Sequence, residues 1–178
     1  MDDKDKDQLA GAGVGGAAGL LIGGPVGGVV GSAIGAALSG HEEKHEAVLR
    51  KSFYEFKEQS SDRAKLYADH IDPDGAKDGN TAGVVSGVEG RPDIVVIDPL
   101  TKHLVVEVET WEGIRNDEKH ALKQLADFRA QAYQRVLIVP EEDIGDVMEW
   151  VEKNEEAGKI KGPELNLASP ARLEGYLN

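Results

Sequence analysis

The sequence predicts an α/β domain on a small mixed sheet, preceded by a glycine-rich helical segment. Two observations carry this. More than half of the 22 glycines fall between Gly11 and Gly40, in a stretch with no charged residue from Leu9 onward. After Gly40 the composition is that of a globular domain, and its hydrophobic periodicity runs helix, strand, strand, strand, helix, strand, helix, which places helices on a sheet with both antiparallel and parallel neighbours. The chain therefore divides into a charged tail (residues 1–9), a glycine-zipper segment (10–40) and a domain of residues 41–178 long enough to bury one core.

The first segment, MDDKDKDQ, is acidic where the leading region of a secretory signal is basic, so an intracellular protein is expected. In the second, glycines recur every four residues at Gly11, Gly15, Gly19, Gly23, Gly27, Gly31 and Gly35. On a helix this spacing cuts a groove that lets another backbone approach closely, as small-residue motifs do between helices in lipid. The run exceeds the ~20 residues needed to cross a bilayer, but its large apolar side chains are few and Pro25 interrupts it. A kinked span, a two-helix hairpin and a self-association helix in water all fit, and the stretch resembles the glycine-zipper segments of membrane-associated proteins.

Residues 41–59 place Leu49, Phe53 and Phe56 at amphipathic-helix spacing. Glu46, three residues before Leu49, either extends that apolar stripe or escapes to solvent near the helix start. Residues 61–69 continue or add a helix, and IDPDGAKDGNTAG is a loop by its Pro, Gly and Asp content. That loop does not match a calcium-binding frame, since the terminal ligand position falls on Val85. Residues 84–88 are the expected first strand. Ile94–Ile97 and Leu104–Val108 are β-branched runs flanking the turn-forming DPLTK and predict a hairpin. Asn116 or Asp117 caps a helix running to about Tyr133, Arg135–Val139 is a short buried strand, and a second helix over 142–154 turns Ile144, Val147, Met148 and Val151 inward. The tail from Gly158 is loop with a short strand.

The hairpin carries the chemistry. If Ile97 pairs with His103, the register sets Asp93 opposite Glu107, and Glu109, two residues on, shares the face of Glu107. Opposed like charges destabilise a sheet, and burial raises the cost. A divalent cation removes the penalty, because Mg2+ is held by one or two carboxylates plus waters and substrate phosphate. The plainer reading makes Asp93 a turn residue and Glu107 and Glu109 the polar face of an edge strand.

With RPD opening the second expected strand and VVEVET on the third, after a helix bearing Glu46, residues 40–154 resemble the PD-(D/E)xK nuclease superfamily. The resemblance implies a restriction-endonuclease-like three-layer core, with a small mixed sheet flanked by helices. It also implies metal-dependent phosphodiester hydrolysis, with Mg2+ (or Mn2+) held by Asp93, Glu107 and Glu46, and Gln124 offered by the following helix. Glu109 stands where a lysine is usual in the family, although some members with glutamate there are active; here it would be third ligand or base. A lysine from elsewhere, Lys102 or Lys119, or a dead site are the alternatives.

The implied partner is nucleic acid, DNA before RNA, with a homodimer expected of nucleases that cut both strands. Candidate phosphate contacts are Arg91, Lys102, Lys119 and Lys123, with Arg50, Lys51 and Arg129 behind them, and Trp111 either stacks on a base or packs in the core.

The whole chain of 178 residues carries 20 Lys plus Arg against 33 Asp plus Glu, a net charge of -13, and no cysteine. Disulfides, Cys-based zinc or iron-sulfur sites and thiol nucleophiles are excluded, and the acidic balance argues against a general nucleic-acid coat protein, whose affinity needs concentrated positive charge, while leaving room for local basic patches. Two other functions compete with a membrane-tethered nuclease. One is a catalytically silent interaction module anchored or oligomerised through residues 10–40, and the other is a membrane-acting toxin.

Overall fold

The computed structural model describes residues 41–71, 81, 84–86, 90–128, 132–162 and 164–177. The glycine-zipper segment, and with it the expectation of a membrane or self-association helix, lies outside the described residues. The chain divides into two compact units, Met1–Ala47 and Val48–Asn178.

Helix α1 spans His41–Gln59, the bounds expected from its periodicity. Within the second unit, Leu49, Phe53 and Phe56 are fully buried and form one apolar stripe. Of the expected first strand over residues 84–88, residues 87–88 lie outside the described residues and the rest is not strand. Val84–Ser86 are turn, and β1 is Lys65–Ala68 (KLYA), in the stretch expected to be helical. Four residues are too few to show a period, and what selects them is pairing with a distant strand rather than intrinsic propensity.

That partner is β2, Ile94–Ile97, antiparallel to β1 with Ala68 opposite Ile94. β3, His103–Val108, continues the meander, with Ile97 opposite His103 as the hairpin composition predicts. Asp98 closes the turn. Its carboxylate accepts from Leu100 N–H (2.9 Å), Ser61 N–H (2.8 Å) and Ser61 O–H (2.7 Å). Burial alone would raise its pKa, but these donors hold it down at about 2, tying the α1–β1 connection to the hairpin.

After β3 the chain forms two short helices instead of one. α2 is Trp111–Asn116, capped by the Thr110 side chain, and α3 is Glu118–Asp127, capped by Asp117. α3 ends at Asp127, short of the expected Tyr133, with Phe128 as its C-cap. β4, Gln134–Ile138, lies parallel to β3. A 3-10 turn at Glu141–Asp143 leads into α4, Ile144–Glu156. α4 buries Val147, Trp150 and Val151, whereas Met148, expected inward, is 48% exposed. β5, Leu165–Ala168, adds a parallel edge to complete a five-stranded mixed sheet in the order β1-β2-β3-β4-β5.

Two apolar layers sandwich the sheet. On one face Leu49, Phe53 and Phe56 of α1 pack with Leu66, Ile94, Val96, Val106 and Ile138, and with Leu173 and Leu177 of the C-terminal tail. On the other, Ile114 of α2, Ala121 and Leu125 of α3, and Val147 and Val151 of α4 pack on Leu137. Arg135, a β4 residue only 2% exposed, donates to the Leu125 carbonyl (2.8 Å) and so supplies positive charge to the C-terminal turn of α3, whose own last turn has no basic residue. Among the described residues, no helix is long and apolar enough to cross a membrane.

Candidate functional site

The hairpin register, extended one residue beyond Ile94 opposite Val106, sets Asp93 beside Glu107, and the parallel ladder sets Glu107 beside Leu137. Paired positions share a face. Glu107 therefore projects to the α2–α4 side of the sheet, into an apolar layer, and is only 3% exposed. Asp93 is equally buried and its Oδ2 accepts from the Val108 N–H (2.7 Å). That bond replaces a ladder partner and fixes the aspartate across the two strands.

Glu107 is the electrostatic centre. One carboxylate oxygen accepts from Gln124 Nε2 on α3; the other, Oε2, is buried and makes no hydrogen bond. Burial first, then the charges of Asp93, Glu109 and Asp69, push its pKa well above the ordinary carboxylate value, against the opposing effect of Gln124. Natural cores avoid such a group, since a buried charge without a partner costs several kcal/mol. Buried acids of raised pKa are characteristic of sites that bind or transform ligands.

Glu109 continues the β3–β4 ladder through its N–H to the Ile138 carbonyl (2.9 Å). Its carboxylate lies over the first turn of α2, where a Cβ on Gly113 would stand 2.9 Å from Oε2. A glycine at that position gives the carboxylate its room. α2 is anchored in turn by its first N–H, from Trp111, to the Asp143 carboxylate (2.9 Å). Trp111 is half-buried and packs against the α2–α4 core layer, with the Arg115 guanidinium 5.9 Å over its ring.

The sequence reading missed Asp69, which follows β1. Its N–H donates to the Asp93 carbonyl (2.8 Å), so it stands beside Asp93 as Asp93 stands beside Glu107. It is 1% exposed, and its Oδ1 takes a 2.5 Å ion pair from Arg91. The signal was available in the register: pairing KLYA with IVVI sets Ala68 against Ile94 and brings Asp69 next to Asp93.

The sequence-predicted site residues thus separate. Asp93, Glu107, Glu109 and Gln124 are gathered at one end of the sheet, and Arg91 is at their edge. Lys102 lies at the opposite end of β3, where its ammonium donates to the Tyr176 carbonyl (2.7 Å) and sits over the Tyr176 ring. It therefore stands away from Glu109 and does not place a cation beside it. Lys119 and Lys123 are exposed on α3, the helix that carries Gln124. Glu46 belongs to the first unit and is exposed there, the solvent alternative for that residue.

The donor set is all oxygen, which suits a hard divalent cation. Among the described residues, no three acid or imidazole side chains stand close enough to ligate one ion. Mg2+ does not require three, being commonly bound through one or two carboxylates with waters and phosphate completing its shell. The unpartnered Glu107 Oε2 beside Asp93 fits that requirement. No protein-family model matches the chain, and neither a curated protein nor a solved structure matches it.

Proposed function

We propose that the chain is a metal-dependent nuclease of the restriction-endonuclease-like fold, hydrolysing phosphodiester bonds, with DNA preferred over RNA. The observation that carries this is the buried Glu107, with one oxygen unpartnered and its pKa raised by burial and by Asp93, Glu109 and Asp69. Further support comes from the order of elements. One helix, an antiparallel meander, a helical crossover and a parallel strand leave Asp93 just before β2, Glu107 in β3 with Glu109 just after it, and Gln124 on α3, an order that supports the reading.

In this reading Asp93 and Glu107 would hold Mg2+ or Mn2+, which when bound would supply positive charge to the phosphoryl oxygens and acidify a water. Asp93 is kept in place by the Val108 N–H, and Gln124 fixes the rotation of the Glu107 carboxylate. Glu109, over the start of α2, is the third acid, able to take a proton from the attacking water. The apolar layer around Ile114 and Leu125 limits water around Glu107, which strengthens every charge interaction there. Residues 10–40 would tether this domain to a membrane or to a second copy of the chain.

Incubating the full chain with single- and double-stranded DNA and with RNA, in Mg2+, Mn2+ or EDTA, tests the reading. Cleavage is expected only with the ions. Glu107→Gln and Asp93→Asn should lower it by at least about 100-fold, the scale on which losing one electrostatic contributor acts in enzyme sites. Cleavage that survives both substitutions would remove Asp93 and Glu107 from the reaction, and its absence with every substrate and ion would leave the silent interaction module as the better account.

A further inference from the structure

The site as proposed lacks the cation that the family places beside its acids, and the chain is strongly acidic overall. A substrate phosphate brought to Asp93 and Glu107 therefore needs positive charge from elsewhere. The β1 end of the acid row supplies it. Asp69, 1% exposed, stands next to Asp93 and meets a different side chain at each carboxylate oxygen. Arg91 Nη2 pairs with Oδ1 at 2.5 Å, and His70 Nε2 approaches Oδ2 to 3.3 Å. Both are outward-facing, Arg91 54% and His70 62% exposed; Arg91 is held at its inner edge by the ion pair, whereas His70 stands near Oδ2 without a hydrogen bond to it, so that buried oxygen has no hydrogen bond.

His70 provides a second, independent indication. Its φ is 62°, and it is the one non-glycine among the described residues in the left-handed region. A non-glycine residue in that region carries some backbone strain, less for His, Asn and Asp than for other types, and strained residues are concentrated at ligand-binding sites. Here the conformation turns the imidazole back over the aspartate just before it.

We propose that Asp69, Arg91 and His70 form a phosphate-holding rim beside the acid cluster, in which Asp69 is a positioning residue and Arg91 and His70 receive the oxyanion. This rests on the nuclease reading for its location. The ligand class is a phosphodiester oxyanion. Arg91 suits it because a guanidinium carries five N–H donors in a planar fork, and Asp69 engages only one edge of it. Asp69 also holds the rim within one strand spacing of Asp93. Positive charge absent from the end of β3 is thereby supplied from the β1–β2 side by Arg91.

Binding of a fluorescein-labelled single-stranded DNA oligonucleotide to the full chain, in EDTA across a salt series, isolates the rim from any metal-dependent step. Arg91→Gln and His70→Asn, the latter chosen because Asn tolerates the left-handed backbone, should each weaken binding by about tenfold. Arg91→Gln should also lower the slope of log affinity against log salt by ~0.7, one ionic phosphate contact. Asp69→Asn is the decisive variant. It removes a negative charge, so charge alone would tighten binding; positioning requires that binding weaken and the slope fall. Unchanged or tighter binding by Asp69→Asn overturns the rim, and so do neutral Arg91→Gln and His70→Asn. If Asp69→Asn does not fold, the two exposed variants decide the matter. A rim that behaves as expected in a chain without cleavage would retire the hydrolytic reading alone, and cleavage with neutral rim variants would retire the rim alone.

Discussion

Two neighbouring acids with the same burial, Asp93 and Glu107, stand in opposite energetic positions. Asp93 satisfies a backbone N–H, and removing it would strand that donor, whereas Glu107 holds an oxygen with no hydrogen bond among like charges. Glu107 binds its proton more tightly folded than unfolded. Its site is therefore at full stability below the ordinary carboxylate value of 4.5, and stability falls as pH rises from there toward the raised folded value. Glu107→Gln cannot ionise and escapes that fall. The variant should match wild type near pH 4 and become more stable at neutral pH by on the order of 1 kcal/mol or more, read as a Tm rise of a few degrees in metal-free buffer. A variant less stable than wild type at pH 7 would mean that Glu107 serves the fold. The sequence disclosed this pair, because a hairpin register is fixed by a short turn and two β-branched runs. It did not disclose Asp69, Arg91 and His70 as a group, since their proximity depends on a four-residue strand whose partner lies far along the chain.

Among the elements, α1 and the β2–β3 hairpin were legible because their periodicity is local, while β1 and the division between α2 and α3 were not. Val84–Val88 has the stronger strand composition, yet KLYA takes the edge because only its register buries Leu66 and Ala68 against α1. The break at Asp117 lets the chain form two helices, and the shorter one exists to turn the end of β3 into the layer above the sheet. Gly113 shows what that short helix contributes. Alanine is the better helix former by ~1 kcal/mol, so glycine at an ordinary helical position is a stability loss. Here its absent Cβ leaves room for Glu109 Oε2, which would otherwise be 2.9 Å away. Gly113→Ala should change thermal stability by no more than about 1 kcal/mol, because the carboxylate can move and alanine favours the helix, while the new Cβ would stand 3.2 Å from the Thr110 hydroxyl that caps α2 and so works against that gain. Metal-dependent cleavage should fall by about tenfold or more as Glu109 is displaced. Equal cleavage by the variant would remove Glu109 from the reaction.

At the level of the whole molecule, the net charge of -13 makes any cation stabilise the chain to some degree by screening self-repulsion. A metal-induced rise in Tm is therefore informative only against a control of equal ionic strength and against a variant that alters the site without unfolding it. Glu107→Gln is that variant, and it supplies a sharper outcome than a simple loss. Without divalent ion it should be the more stable protein. An ion binding only the folded wild type adds RT ln(1 + [L]/Kd), which is ~2.7 kcal/mol at a hundred times Kd. The Gln variant, having lost one ionised ligand, should gain little beyond the screening seen with Na+. Titrating Mg2+ or Mn2+ into the two full-length chains should accordingly make their melting temperatures cross, wild type overtaking the variant once the binding term exceeds the cost of the unpaired carboxylate. Parallel curves would show that the acids at the end of the sheet respond to ions only as surface charge. A crossing would show that the cost carried by Glu107 in the free protein is recovered when a cation binds.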